Sequence, residues 1–154
     1  AYKDLLRIGE SVHKRKEAKQ RIQEIKTSFA ATLNLAQGKS FLYFIWRDPY
    51  YVVGPNTYIH SLLSHFGLSN ACQIERYPSL EDLRNHSANS KISPDLIFLS
   101  SEPYPFEDKH LQEFQGLFPA SKIMLVDGEL CSWHGSRMLA APPYLRAILN
   151  QMSI

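Results

Sequence analysis

"FLYFIWRDPYYVVGPNTYIHSLLSHFG", Phe41 to Gly67, carries the fold in one short reading. It opens with a continuous apolar run, Phe41–Trp46, of the kind that forms a strand covered on both faces. It closes with a helical pattern over Thr57–Phe66 that Gly67 stops. The turn between them needs only Gly54, Pro55 and Asn56. Yet the chain also sets Arg47, Asp48, Pro49, Tyr50 and Tyr51 there. The surplus of rings and a charge pair reads as a surface that grips something.

The strand–helix unit recurs downstream. Ala71–Glu75 reads as a short strand, and Leu80–Asn85 as a short helix capped by Ser79. Leu96–Ser100 and Lys122–Val126 read as strands, with Lys109–Gln115 helical between them and Gly116 after it. The last helix spans 136–152, with Pro142-Pro143 marking a kink or a late start. This alternation predicts an α/β fold: a parallel sheet of about four strands flanked by helices.

Upstream, Leu5, Ile8 and Val12 share one helical face, and the pattern falters near His13. It resumes as Ala18, Ile22, Ile25, Phe29, Leu33 and Ala36, with Gly38 as a stop. The spacing predicts a short helix, a kink and a long backbone helix of about 23 residues, roughly 35 Å. Such a rod suits a spine along a domain or a bridge between two. Residues 3–26 hold eight of the 17 Lys and Arg but four of the 15 Asp and Glu. The basic excess therefore belongs to one solvated helix, away from the aromatic loops, which argues against a nucleic-acid protein. Cys72 and Cys131 have no metal spacing and read as two lone thiols. No signal peptide and no bilayer-length apolar run is present, and the start inside a helical pattern suggests a mature form or an excised fragment.

In open α/β sheets, ligands sit at the carboxyl ends of the strands. Three long loops belong there: Trp46–Tyr51, Ser100–Phe106 and Asp127–Arg137. They place Trp46, Tyr50, Tyr51, Tyr104, Phe106, Trp133 and His134 along one rim. Rings with polar handles suit a contact that is part apolar and part wet. Arg47 could hold an anion or stack on a flat ligand, or be tied to its own loops; for Arg137 the structural role is favoured. For catalysis the candidates are thin. The six histidines are scattered, and His60 and His65 miss the spacing of a helical metal pair. Cys131 and His134 lack an orienting third group. Asp48, Glu102, Asp127 and Glu129 sit at the rim without fixed separations, so an enzyme using Asp48, Glu102 or His134 stands as the alternative class.

"FIWRDPYYVVGPNTYIHSLLSHFGLSNA", "SPDLIFLSSEPYPF" and "LVDGELCSWHGSRMLAAPPYLRAIL" resemble the periplasmic substrate-binding proteins of ABC importers. The subgroup is the one with a helical backbone, which binds cobalamin, iron–siderophore and haem. The resemblance implies two α/β lobes joined by one long helix. Residues 1–38 would be the end of the first lobe and that helix, and 39–154 the second lobe, so the chain resembles the C-terminal portion of a longer protein. It implies a periplasmic location, with a lipid anchor as one form of the full-length protein. It implies an ABC permease as partner, no nucleic acid, and a metal-chelate ligand, cobalamin first and iron–siderophore or haem second, with no resident cofactor or metal. Trp46, Arg47, Tyr51, Trp133 and His134 match the family's ligand loops by position, and Tyr104 follows more weakly. Glu102 and Glu129 are the candidates for permease docking. A stiff linking helix implies modest lobe closure on binding. Its exposed spine leaves a dimer of the fragment open.

Overall fold

The computed structural model describes residues 2–86 and 92–151. Helices α1 (Tyr2–Ser11) and α2 (Arg15–Ala30) lead into β1 (Ser40–Trp46), β2 (Tyr51–Val52) and α3 (Tyr58–His65). Then follow β3 (Ser69–Asn70), α4 (Leu80–His86), β4 (Leu96–Ser100), a short 3-10 turn and α5 (Leu111–Leu117). The chain ends with β5 (Lys122–Val126), α6 (Gly128–Ser132), a second 3-10 segment (Gly135–Leu139) and α7 (Ala141–Asn150). The strands run β2-β1-β4-β5, with β3 also on β1. The β1–β3, β1–β4 and β4–β5 pairs are parallel, and the β1–β2 pair is antiparallel.

Alternation along β1 divides the core into two layers. Phe41 and Tyr43 face one side with Ile59, Leu63 and Phe66 of the α3 region and Leu145 of α7. Leu42 and Phe44 face the other with Leu80, Leu83, Phe114 and Phe118. All five residues of β4 are buried, as a central parallel strand requires. Each fully buried Leu or Phe stabilises by about 1.5–3 kcal/mol relative to exposure. At the amino ends of β1 and β4, the carboxylate of Asp95 accepts from the Ser40 N–H at 2.8 Å and its hydroxyl at 2.8 Å.

Several sequence expectations change. The predicted long helix stops at Ala30, so α2 has 16 residues. Thr32 turns its hydroxyl back to the Phe29 carbonyl at 2.9 Å, and Asn34 takes a positive φ of 58°. The Asn34 and Ala36 N–H groups donate to the His65 and Phe66 carbonyls at the end of α3, not to a helix of their own. The expected strand Ala71–Glu75 is replaced by Ser69–Asn70. There the buried Asn70 accepts from the Cys72 N–H at 2.9 Å and donates to the Val53 carbonyl at 2.9 Å, which bends the chain off the sheet. Gly116 lies inside α5. Part of the loop after β5 is the helix α6, capped by Asp127, whose carboxylate accepts from the Leu130 N–H at 3.0 Å. The proline pair marks a late start, since α7 begins at Ala141. Met152 lies outside the described residues.

Candidate functional site

The parallel register puts the carboxyl ends of β1, β4 and β5 at one edge. Trp46 ends β1, and its ring meets Tyr104 of the loop after β4 at 5.9 Å. The Tyr104 N–H donates to the Ile45 carbonyl at 3.2 Å, which ties the two loops together. The loop after β4 is also held from below. Tyr43, buried in β1, donates to Ser100 Oγ at 3.0 Å, and Ser100 donates to the Glu102 carbonyl at 2.6 Å. Burial pushes the Tyr43 phenol well above its ordinary range, so it stays a donor.

The loop after β5 docks on this arrangement. The Gly128 N–H donates to Ser101 Oγ at 2.9 Å. A Cβ at Gly128 would lie 2.5 Å from Ser100 Oγ and 2.6 Å from Glu102 Cγ, so glycine is required for the approach. Helix α6 then delivers Trp133, whose indole N–H donates to Glu102 Oε1 at 2.7 Å. The Arg137 guanidinium lies over the Trp133 ring at 5.2 Å and pairs with Glu129.

Two adjoining clefts open at this edge. One, about 280 Å³, is lined by Ile45, Trp46, Tyr51, Tyr77 and Pro103. The other, about 430 Å³, shares Ile45, Tyr77 and Pro103 and adds Ile59, Glu102 and Ser132. Around them stand exposed rings: Trp46 at 42%, Tyr51 at 37%, Tyr77 at 51% and Trp133 at 51%.

Most of the other candidates from sequence are engaged elsewhere. Arg47 Nε donates to both Glu113 oxygens at 3.2 Å, and that bond raises its guanidinium above its ordinary value. Tyr50 hydrogen-bonds the same carboxylate, with its ring against Phe114 at 5.2 Å. Phe106 is buried in the core beneath Tyr104. His134 packs edge-on against Tyr58 at 4.2 Å. Glu129 is engaged by Arg137, and Glu102 lies within the cleft. Cys131 is fully buried, which pushes its thiol up to about 12 and keeps it protonated at neutral pH. Among the described residues, no group of three or more His, Cys, Asp or Glu could hold a metal, and no helix is long and apolar enough to cross a membrane.

Sequence reasoning missed Tyr77. Its segment runs back beside the end of β2: the Gly54 N–H donates to Arg76 O at 2.7 Å and the Val52 N–H to Pro78 O at 3.0 Å. The signal was "ERYPS", a ring before a proline in the connection between β3 and α4.

No protein-family model matches the sequence, and no curated protein sequence does. Solved structures do match. A periplasmic heme-binding protein from Roseiflexus sp. RS-1 in apo form aligns at a TM-score of 0.73 and 17% identity, over 97% of this chain and 62% of that one. An ABC transporter substrate-binding protein from Listeria monocytogenes EGD-e aligns at 0.70 and 18%, over 98% and 62%. The periplasmic vitamin B12 binding protein of Vibrio cholerae aligns at 0.59 and 16%, over 90% and 53%. This chain thus spans at most 62% of the length of these three structures. At such identities the likeness is one of fold: this chain, from its leading helices through its α/β unit, has the architecture of one part of each of these structures.

Proposed function

We propose that this chain is the ligand-gripping lobe of the substrate-binding component of an ABC importer, working in the periplasm and delivering a flat metal chelate to a membrane permease. The ligand belongs to the cobalamin, haem or iron–siderophore class. The observation that carries this reading is the set of four exposed rings, Trp46, Tyr51, Tyr77 and Trp133, around one apolar trough at the carboxyl edge of the sheet. Water-exposed rings gain by covering a planar guest, and each aromatic side chain can bury about 150–250 Å². At about 25 cal/mol per Å² two or three rings supply several kcal/mol before ordering costs. The aligned heme-binding and vitamin B12 binding proteins support this ligand class.

The alternative of an enzyme built on Asp48, Glu102 and His134 has less behind it. Among the described residues, no hydrogen bond or ion pair joins any two of the three. The deciding experiment titrates the protein with cobalamin, haem and ferric siderophores by intrinsic fluorescence. The chain has two tryptophans and both stand at the rim, so its emission reports on the trough. Quenching that Trp46→Ala or Trp133→Ala abolishes supports the reading. No response to any chelate, together with turnover of a hydrolase or transferase substrate, overturns it.

A further inference from the structure

Among the described residues, the trough lining has one charged side chain, Glu102, and includes no Lys or Arg. Of the arginines on the loops after β1 and β5, Arg47 pairs with Glu113 and Arg137 with Glu129. Glu102 Oε1 accepts from Trp133 at 2.7 Å and from Ser132 Oγ at 3.4 Å. Its second oxygen has no protein donor among the described residues.

A carboxylate held in a ring-walled cleft acts in two directions. It accepts from an N–H that a guest brings, and it repels a guest's own carboxylate more strongly than open water would allow. A repulsive element discriminates as effectively as an attractive one. We propose that Glu102 makes this lobe select flat chelates whose rim carries amides or other N–H donors, and reject flat chelates whose rim carries carboxylates. The inference rests on the reading of the trough as a chelate site. Trp133 is the partner that fixes the carboxylate: its indole N–H takes up Oε1 and leaves the second oxygen without a protein donor among the described residues.

The test uses the full 154-residue chain and two probes in equilibrium dialysis. Dicyanocobinamide has a rim of amides and no carboxylate; haemin has a rim with two carboxylates. Glu102→Gln keeps an oxygen for the Trp133 and Ser132 bonds and removes the charge. The unaltered chain is expected to prefer dicyanocobinamide, and Glu102→Gln to shift the ratio of the two Kd values toward haemin by about tenfold. Equal affinity for the two probes, or a ratio that Glu102→Gln leaves unmoved, overturns this inference and leaves the chelate reading standing. Failure of both probes to bind either chain overturns the chelate reading and this inference with it. Should Glu102→Gln fail to fold, salt decides: repulsion requires haemin to bind the unaltered chain more tightly as ionic strength rises, and a flat response refutes it.

Discussion

A Cβ placed on Gly54 would lie 1.7 Å from the carbonyl oxygen of Ile74. Two backbone segments touch there, and the contact holds Tyr77 beside Tyr51 at the trough. Backbone cannot swing aside as the tip of a side chain can. Gly54→Ala is therefore expected to lower stability by about 2–4 kcal/mol, read as a lower urea midpoint at unchanged slope. It should also weaken chelate binding, because Tyr77 must move. A midpoint within error of the parent would show that the two segments separate freely.

The Tyr58 hydroxyl is buried and has no hydrogen-bond partner among the described residues. Burial also pushes its phenol up to about 12. A desolvated donor with no acceptor destabilises, so removing it should help. Tyr58→Phe is expected to be neutral or to raise stability by about 1 kcal/mol. Thermal unfolding of the two proteins checks this; a clear loss would show that the hydroxyl has a role in the native state.

Asp95 joins the starts of β1 and β4. The Ser40 backbone N–H, followed by its hydroxyl, holds the carboxyl below its ordinary value. A depressed folded value stabilises above the unfolded pKa of about 3.9, and that contribution fades as pH falls through the folded value. Asp95 is partly open to solvent, so its contribution is modest. Asp95→Asn should cost about 1 kcal/mol at pH 7 and flatten the stability curve below pH of about 4. An unchanged acid limb in urea melts taken from pH 7 to pH 2 would rule this out.

Cys72 and Cys131 are both buried, unpaired and raised in pKa by burial. Neither should react with a thiol reagent at neutral pH while the chain is folded. Both should react at once in denaturant. Fast labelling of Cys131 in the native protein would show that α6 opens, and would revive a thiol mechanism.

The most legible parts of the fold were those governed by burial. β4 was readable residue by residue, because a central strand of a covered sheet is a continuous apolar run, and the edge strand β5 kept its expected bounds although it is only partly buried. α3 was readable from its helical pattern and the Gly67 stop, and only its ends moved: Thr57 is its cap and accepts from the His60 N–H at 3.1 Å. Hydrogen bonds between distant segments were not readable. The apolar spacing of Phe29, Leu33 and Ala36 promised helix, but the end of α3 took the backbone N–H groups of Asn34 and Ala36, and Leu33 is 58% exposed. Asn70 ended β3 through its side chain, where the sequence showed only a β-like run. At the site, the gathering of Trp46, Tyr104 and Trp133 at one edge followed from parallel topology. The turning of Arg47 and Tyr50 to Glu113 did not, because Glu113 lies on α5 and strand order alone does not say which side chains meet there.

The guanidinium of Arg137 rests on one face of the Trp133 indole. That leaves at most one face of the indole for a planar guest. A planar guest can lie flat on it once, from the open direction, and gains no second layer from this residue. Any further cover for a planar guest must come from other side chains, and Trp46, Tyr51 and Tyr77 are the exposed rings that this chain sets at the same edge.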